Sequence, residues 1–269
     1  MIEEGININE KESFFKKNNG ITVERENKSL KRIDFCDRRV YERESGVYYP
    51  SVTSILSAYP TSTFFLDWVK DTGHNADIIR DKAAREGTQV HEGIEKLLKG
   101  EKLEWVDEYG NAKYNLAVWN MLLKFQDFYN LVKPKTLASE LFLYSDKYRF
   151  AGTTDYLCRV EEEKWLIDFK TSNHVGGSYN LQLSAYGKAL EEQRGIKADR
   201  HAVLWLKAQT RSQKFDAKKG IVQGQGWQLI FDPDPEKSFT VFEHVHEIFK
   251  VLNPKIEPYT RSYPVEISL

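Results

Sequence analysis

The chain has 269 residues, 41% of them hydrophobic, and its 39 basic and 40 acidic side chains leave a net charge of −1. That length can bury a full core, and the balanced charge excludes a chain that merely coats nucleic acid through a basic surface. No apolar run approaches the ~20 residues needed to span a bilayer, and two cysteines, Cys36 and Cys158, cannot build a disulfide framework.

Residues 1–29 are polar, rich in Asn, Lys and Glu, and read as a loosely packed or partly disordered arm. Met1-Ile2-Glu3-Glu4-Gly5 has neither the basic nor the apolar region of a signal peptide, so the expected location is cytoplasmic. Lys31 to Tyr49 suggests a hairpin turning at Glu44-Ser45-Gly46, and Ser51, just after Pro50, can cap a following helix. Helices then dominate to about Lys133. Ile79, Ala83, Val90, Ile94, Leu97 and Leu98 fall near helical spacing between about Ala76 and Lys99, and Leu116, Trp119, Leu122, Leu123 and Phe128 mark a second amphipathic stretch.

Strands take over from Leu137 to Lys170. A helix follows from Ser178 to Arg194, then a strand at His201 to Ala208, an apolar run at Trp227 to Phe231 and a helix at Lys237 to Leu252. The expected fold is α/β (α+β mixed), a central mixed sheet flanked by helices, with the site at the sheet's edge. Residues 30–269 would form one domain, with a helical part at about 50–133 and a core at about 134–252.

The chemistry concentrates in this core. In Trp165-Leu166-Ile167-Asp168-Phe169-Lys170-Thr171, strand alternation puts Asp168 and Lys170 on one face and Ile167 and Phe169 on the other. The pair is either a solvated ion pair or a carboxylate for a hard cation beside a lysine that holds water or meets phosphate charge. Phe150 to Val160 and Lys164 to Lys170, joined through Glu161-Glu162-Glu163, read as antiparallel strands that bring Asp155 close to Asp168. Two converging carboxylates are costly unless a cation neutralises them. Gly152 suits a bulge or a close backbone approach. Glu140 interrupts an apolar strand and either faces water at an edge or needs the metal or Lys170 as a partner. His91 shares a helix face with Glu95, as Gln182 does with Tyr186, and Gly87 opens the turn before His91 to close approach.

Lys207, Arg211, Lys214, Lys218 and Lys219 form a basic hairpin or loop that either contacts backbone phosphates or is simply solvated. Other chemistries fit less well. No phosphate-binding Gly-rich loop is followed by Lys-Ser or Lys-Thr, so no ATP is expected. His244 and His246 are two apart in a stretch that reads as helix and diverge by about 200°, which prevents joint chelation.

The ordered set of His91, Gly152-Thr153-Thr154-Asp155, Asp168-Phe169-Lys170 and Gln182-x-x-x-Tyr186 resembles the PD-(D/E)XK nuclease superfamily, in its RecB-like and lambda-exonuclease-like branch. Tyr49-Pro50-Ser51-Val52-Thr53-Ser54-Ile55-Leu56 and Arg85-Glu86-Gly87-Thr88-Gln89-Val90-His91 add to the likeness, which spans roughly Tyr41 to Tyr186. The resemblance implies a restriction-endonuclease-like core and a metal site of His91, Asp155, Asp168 and the Phe169 backbone carbonyl, holding Mg²⁺ or Mn²⁺. Lys170 would position or activate water, and Gln182 and Tyr186 would complete the motif; Glu140 joins the expected catalytic set from its place in the apolar strand, not from the resemblance. It further implies a DNA exonuclease in recombination, repair or phage DNA processing, with a single-strand-binding or annealing protein as a possible companion. An endonuclease of the same superfamily and an inactive nucleic-acid-binding module are the competing readings. Some members carry an iron–sulfur cluster on four cysteines; two cysteines exclude it here as a single-chain site.

Overall fold

A computed structural model describes residues 17–18, 21–22, 30–35, 38–44 and 46–257. Most of the expected N-terminal arm, Cys36 and Ser45 of the expected turn lie outside the described residues. The described residues begin with a small ribbon of two two-residue strands, β1 (Lys17–Asn18) and β2 (Ile21–Thr22). A three-stranded sheet follows: β3 (Lys31–Phe35), β4 (Arg38–Glu44) and β5 (Val47–Pro50). The expected single hairpin over Lys31 to Tyr49 is therefore two successive hairpins, because Val40 and Tyr41 pair with both outer strands.

Four helices come next: α1 (Val52–Ile55), α2 (Thr63–Thr72), α3 (Asn75–Leu98) and α4 (Leu116–Val132). Ser51 does cap α1, accepting from the Ser54 amide at 2.9 Å. The remainder alternates: β6 (Lys135–Ser145), β7 (Phe150–Val160), β8 (Glu163–Lys170), α5 (Ser178–Arg194), β9 (Arg200–Trp205), β10 (Lys214–Asp216), β11 (Ile221–Gly224), β12 (Trp227–Phe231) and α6 (Pro235–Leu252). None of the helices among the described residues is long and apolar enough to cross a membrane.

Among the described residues the main sheet has seven strands in the order β10-β11-β12-β9-β8-β7-β6, and it is mixed: β8 and β9 run parallel and the other described neighbours are antiparallel. A parallel pair needs a crossover, and α5 supplies it. Helices cover both faces, which makes the expected α/β architecture correct. On one face Leu157, Leu166 and Val203 pack with α1, α5 and α6; on the other Ile167, Phe169 and Leu204 pack with α3 and α4. The alternation along Leu166-Ile167-Asp168-Phe169 is thus divided between two cores, and Asp168 falls on the α5 side.

Two histidines are buried in this framework. His201 lies on β9 beneath α5, where a Cβ on Gly187 would meet its Cε1 at 2.4 Å, and His246 sits among Phe150 and Phe242. Burial lowers both imidazoles from 6.5 to about 4. Their folded values lie below the unfolded value, so the stability they contribute is complete above pH ~6.5 and is lost as pH falls toward 4. The urea midpoint is expected to drop between pH 7 and pH 5, with a smaller drop in His201→Gln. An equal drop in that variant would contradict the assignment.

Candidate active site

Strand register carries the site. In β6 and β7, Ser139 pairs with Tyr156 and Leu141 with Thr154, so Glu140 faces Asp155. In β7 and β8, Tyr156 pairs with Ile167, and one step further along the same register Asp155 faces Asp168. Three carboxylates therefore stand side by side across three adjacent strands. They begin on the edge strand β6 and reach two strands inward, so the expected placement at the sheet's edge holds only for Glu140.

Glu140 has a left-handed backbone, φ 50°, inside an extended strand. That conformation is uncommon for a residue with a side chain and costs of order 1–3 kcal/mol, and such strain gathers at functional sites. It accompanies a turn of the glutamate toward α3. There His91, Glu140 and Asp155 each offer a ligand atom, all within 4.8 Å of one another. A neutral imidazole and two carboxylates suit a divalent cation such as Mn²⁺ or Mg²⁺.

His91 Nδ1 lies 3.5 Å from Asp155 Oδ1, and the His91 ring meets the edge of Phe169 at 5.9 Å. Burial works to lower the imidazole, but Asp155, then Asp168 and Glu140, raise it to about 9. At neutral pH the imidazolium therefore occupies the place a cation would take, and a metal would displace its proton. The other Asp155 oxygen accepts from the Phe169 amide at 2.7 Å. Burial pushes this carboxyl up, yet His91 and Lys170 win and hold it below the ordinary carboxylate value.

Asp168 lines the same cleft as His91, Glu140 and Asp155 and is nearly fully buried. Its Oδ2 is 2.6 Å from Lys170 Nζ, and its Oδ1 accepts from Gln182 Nε2 at 3.0 Å. Gln182 Oε1 in turn accepts from Lys170 Nζ at 3.1 Å, and its amide reaches the Tyr186 hydroxyl at 3.3 Å. The single glutamine thus fixes the carboxylate, the ammonium and the phenol together. Lys170 also lies over the Tyr179 ring, 4.6 Å from its centre. Burial opposes its charge, but Asp168 and Asp155 raise its pKa, so it stays an ammonium at neutral pH.

Gly152 is required by packing: a Cβ there would meet the Tyr186 ring at 2.4 Å. At Gly87 the close neighbour is the Thr171 hydroxyl, 3.1 Å from where a Cβ would stand. The site opens into a cleft of about 1170 Å³. Its far wall includes Arg32 and Arg39, from β3 and β4, which sequence reasoning did not single out. Nothing local marks them, since they lie on a small sheet whose docking depends on long-range contacts such as Tyr41 to Thr153 at 3.2 Å.

The expected basic stretch is divided by the structure. Lys207 and Arg211 line a groove near the end of β8. Lys218 and Lys219 line another depression with Glu163 and Asp199, and Lys214 is exposed on β10. Lys214, Lys218 and Lys219 lie in the β10–β11 hairpin, while Lys207 and Arg211 fall in the non-strand segment before it.

Replacing Gln182 by Ala would leave the buried Asp168 Oδ1 and Tyr186 hydroxyl without this partner. Leaving such groups unsatisfied costs about 1–3 kcal/mol, and urea unfolding of Gln182→Ala should register a loss in that range. A change within about 0.5 kcal/mol, the range of ordinary surface substitutions, would show that the glutamine does not bind the set together.

No protein-family model matches the chain, and no curated protein matches it in sequence. Among solved structures it is similar to a crystal structure named "Putative exonuclease" from Eubacterium rectale, with 12% identity over 82% of this chain and 91% of that one, at a TM-score of 0.43. A likeness at that level bears on neither activity nor substrate.

Proposed function

We propose that the chain is a divalent-metal-dependent nuclease of the PD-(D/E)XK superfamily that hydrolyses DNA from its ends. The observation that carries this reading is the convergence of His91, Glu140 and Asp155 on one point, beside a charged lysine fixed by Asp168 and Gln182. The donor set fits a hard or borderline cation, because it combines two carboxylates with an imidazole and has no thiolate. Mg²⁺ or Mn²⁺ held there would polarise the scissile phosphate, help ionise water and steady the leaving 3′ oxygen.

The protein's own groups divide the remaining work. Lys170, kept charged by Asp168 and Asp155, cannot serve as the base in that state. It instead donates a hydrogen bond, orienting water or meeting charge that develops on the phosphate. Gln182 and Tyr186 hold Lys170 and Asp168 in place. Asp168 supports Lys170 through their ion pair and, as the resemblance implies, would also serve as a metal ligand beside His91, Glu140 and Asp155. The Phe169 backbone is tied to Asp155 through its amide, which orders the segment whose carbonyl the family would use. One catalytic unit would run from about residue 30 onward, because α3 and α4 share their core with the sheet.

The test combines purified protein with Mg²⁺, Mn²⁺ or EDTA on end-labelled linear DNA beside a covalently closed circle. Metal-dependent loss of linear DNA with the circle spared is expected. Asp155→Ala and Lys170→Ala are expected to lose at least two orders of magnitude in rate while keeping a native circular-dichroism spectrum. Cutting of the circle would replace the exonuclease reading with an endonuclease, and full activity in Lys170→Ala would sink the assignment.

A further inference from the structure

A second cationic site lies beyond the catalytic lysine. Lys170 pairs with Trp205 across the parallel strands β8 and β9, and the Leu206 amide donates to the Lys170 carbonyl at 2.9 Å. The segments that follow, through Asn173 and Lys207, bend into a groove of about 920 Å³ between the sheet and α4. Thr171 still lines the catalytic cleft while Asn173 lines this groove, so the two are joined along the chain within two residues.

Three cations converge there: Lys124 from α4, and Lys207 and Arg211 from the segment after β9. Lys124 Nζ donates to the Leu206 carbonyl at 2.9 Å, and Lys207 Nζ reaches Asn173 Oδ1 at 3.4 Å. Among the described residues, none of the three makes an ion pair. The single carboxylate in the lining, Asp127, is committed to the Trp227 indole at 2.6 Å. Burial lowers the Lys124 pKa, and the nearby charge of Lys207 lowers it further. Three cations beside a single carboxylate repel each other, and a bound anion lowers that cost.

We infer that Lys124, Lys207 and Arg211 form a phosphate-binding subsite for the backbone of the nucleic-acid strand whose scissile phosphate lies at Lys170. The inference rests on the nuclease reading and adds to it a path for the strand. A continuous strand suits this geometry better than a free anion, because residues only two apart in the chain, Thr171 and Asn173, line the cleft and the groove. Its lining also offers the neutral amides of Asn120, Gln209 and Gln225, which can bond sugar or phosphate without selecting sequence.

The experiment is fluorescence anisotropy in EDTA, which prevents cleavage, with a long labelled single-stranded oligonucleotide over a range of salt. The doubly substituted K207Q/R211Q protein is used because both residues lie on the surface segment after β9, and K124Q is measured beside it. The double variant is expected to bind at least ten-fold more weakly. Its slope of log affinity against log salt should shrink by about 0.7 for each phosphate that the variant no longer engages. Lys250→Gln, which removes one positive charge on α6 as K124Q does in the groove, should alter neither quantity. An unchanged affinity and slope in K207Q/R211Q, with wild-type protein that still binds and cleaves, would overturn the subsite and leave the nuclease reading intact. A loss confined to a free mononucleotide would overturn it in favour of a small-anion site. Failure of wild-type protein to bind any oligonucleotide or cleave with any metal would remove the nuclease reading, and this inference with it.

Discussion

Three carboxylates aligned across β6, β7 and β8 set the terms for the whole molecule. Glu140, Asp155 and Asp168 are brought together by strand register, which the two hydrophobic cores on either face hold in place. A slip of one residue in any strand would turn its carboxylate to the opposite face and expose its apolar partners. Like charges held so close demand cations, and the structure meets that demand from both sides. His91 arrives from α3 and Lys170 from the same strand as Asp168. The strained backbone at Glu140 belongs to the same arrangement, since it goes with a glutamate brought within reach of the histidine.

The division of labour among the acids follows from their partners. Asp168 is ion-paired with a lysine and accepts from a glutamine through one oxygen, which makes it a support for a charged group. Asp155 and Glu140 face His91 across the open cleft. The near-zero net charge of the chain conceals this arrangement: an acidic centre and a cationic groove lie within a few residues of each other. Such a pairing draws phosphate toward the acids without a uniformly basic surface.

Much of this was legible in the sequence because it is local. Asp168 and Lys170 share a face by the two-residue period of a strand, and Gln182 and Tyr186 by the four-residue spacing of a helix; the structure places both pairs so. The order of the main-sheet strands and helices also followed from pattern, with boundaries displaced by a few residues at β9 and α6. What could not be read was set by distant packing. The left-handed conformation of Glu140 has no signature in a run such as Ser139-Glu140-Leu141. Arg32 and Arg39 reach the cleft only because a separate small sheet docks on β7 through Tyr41, and Lys124 meets Lys207 only across the β9–α4 interface. The third strand of that small sheet was merged into one hairpin because β4 pairs on both edges.

The most direct measurement is anomalous diffraction from crystals soaked in Mn²⁺, collected at the manganese absorption edge. The account predicts an anomalous peak bounded by His91, Glu140 and Asp155, with Lys170 still held by Asp168 and Gln182. Crystals that take up manganese elsewhere, or show no peak between those three side chains at saturating Mn²⁺, would contradict it.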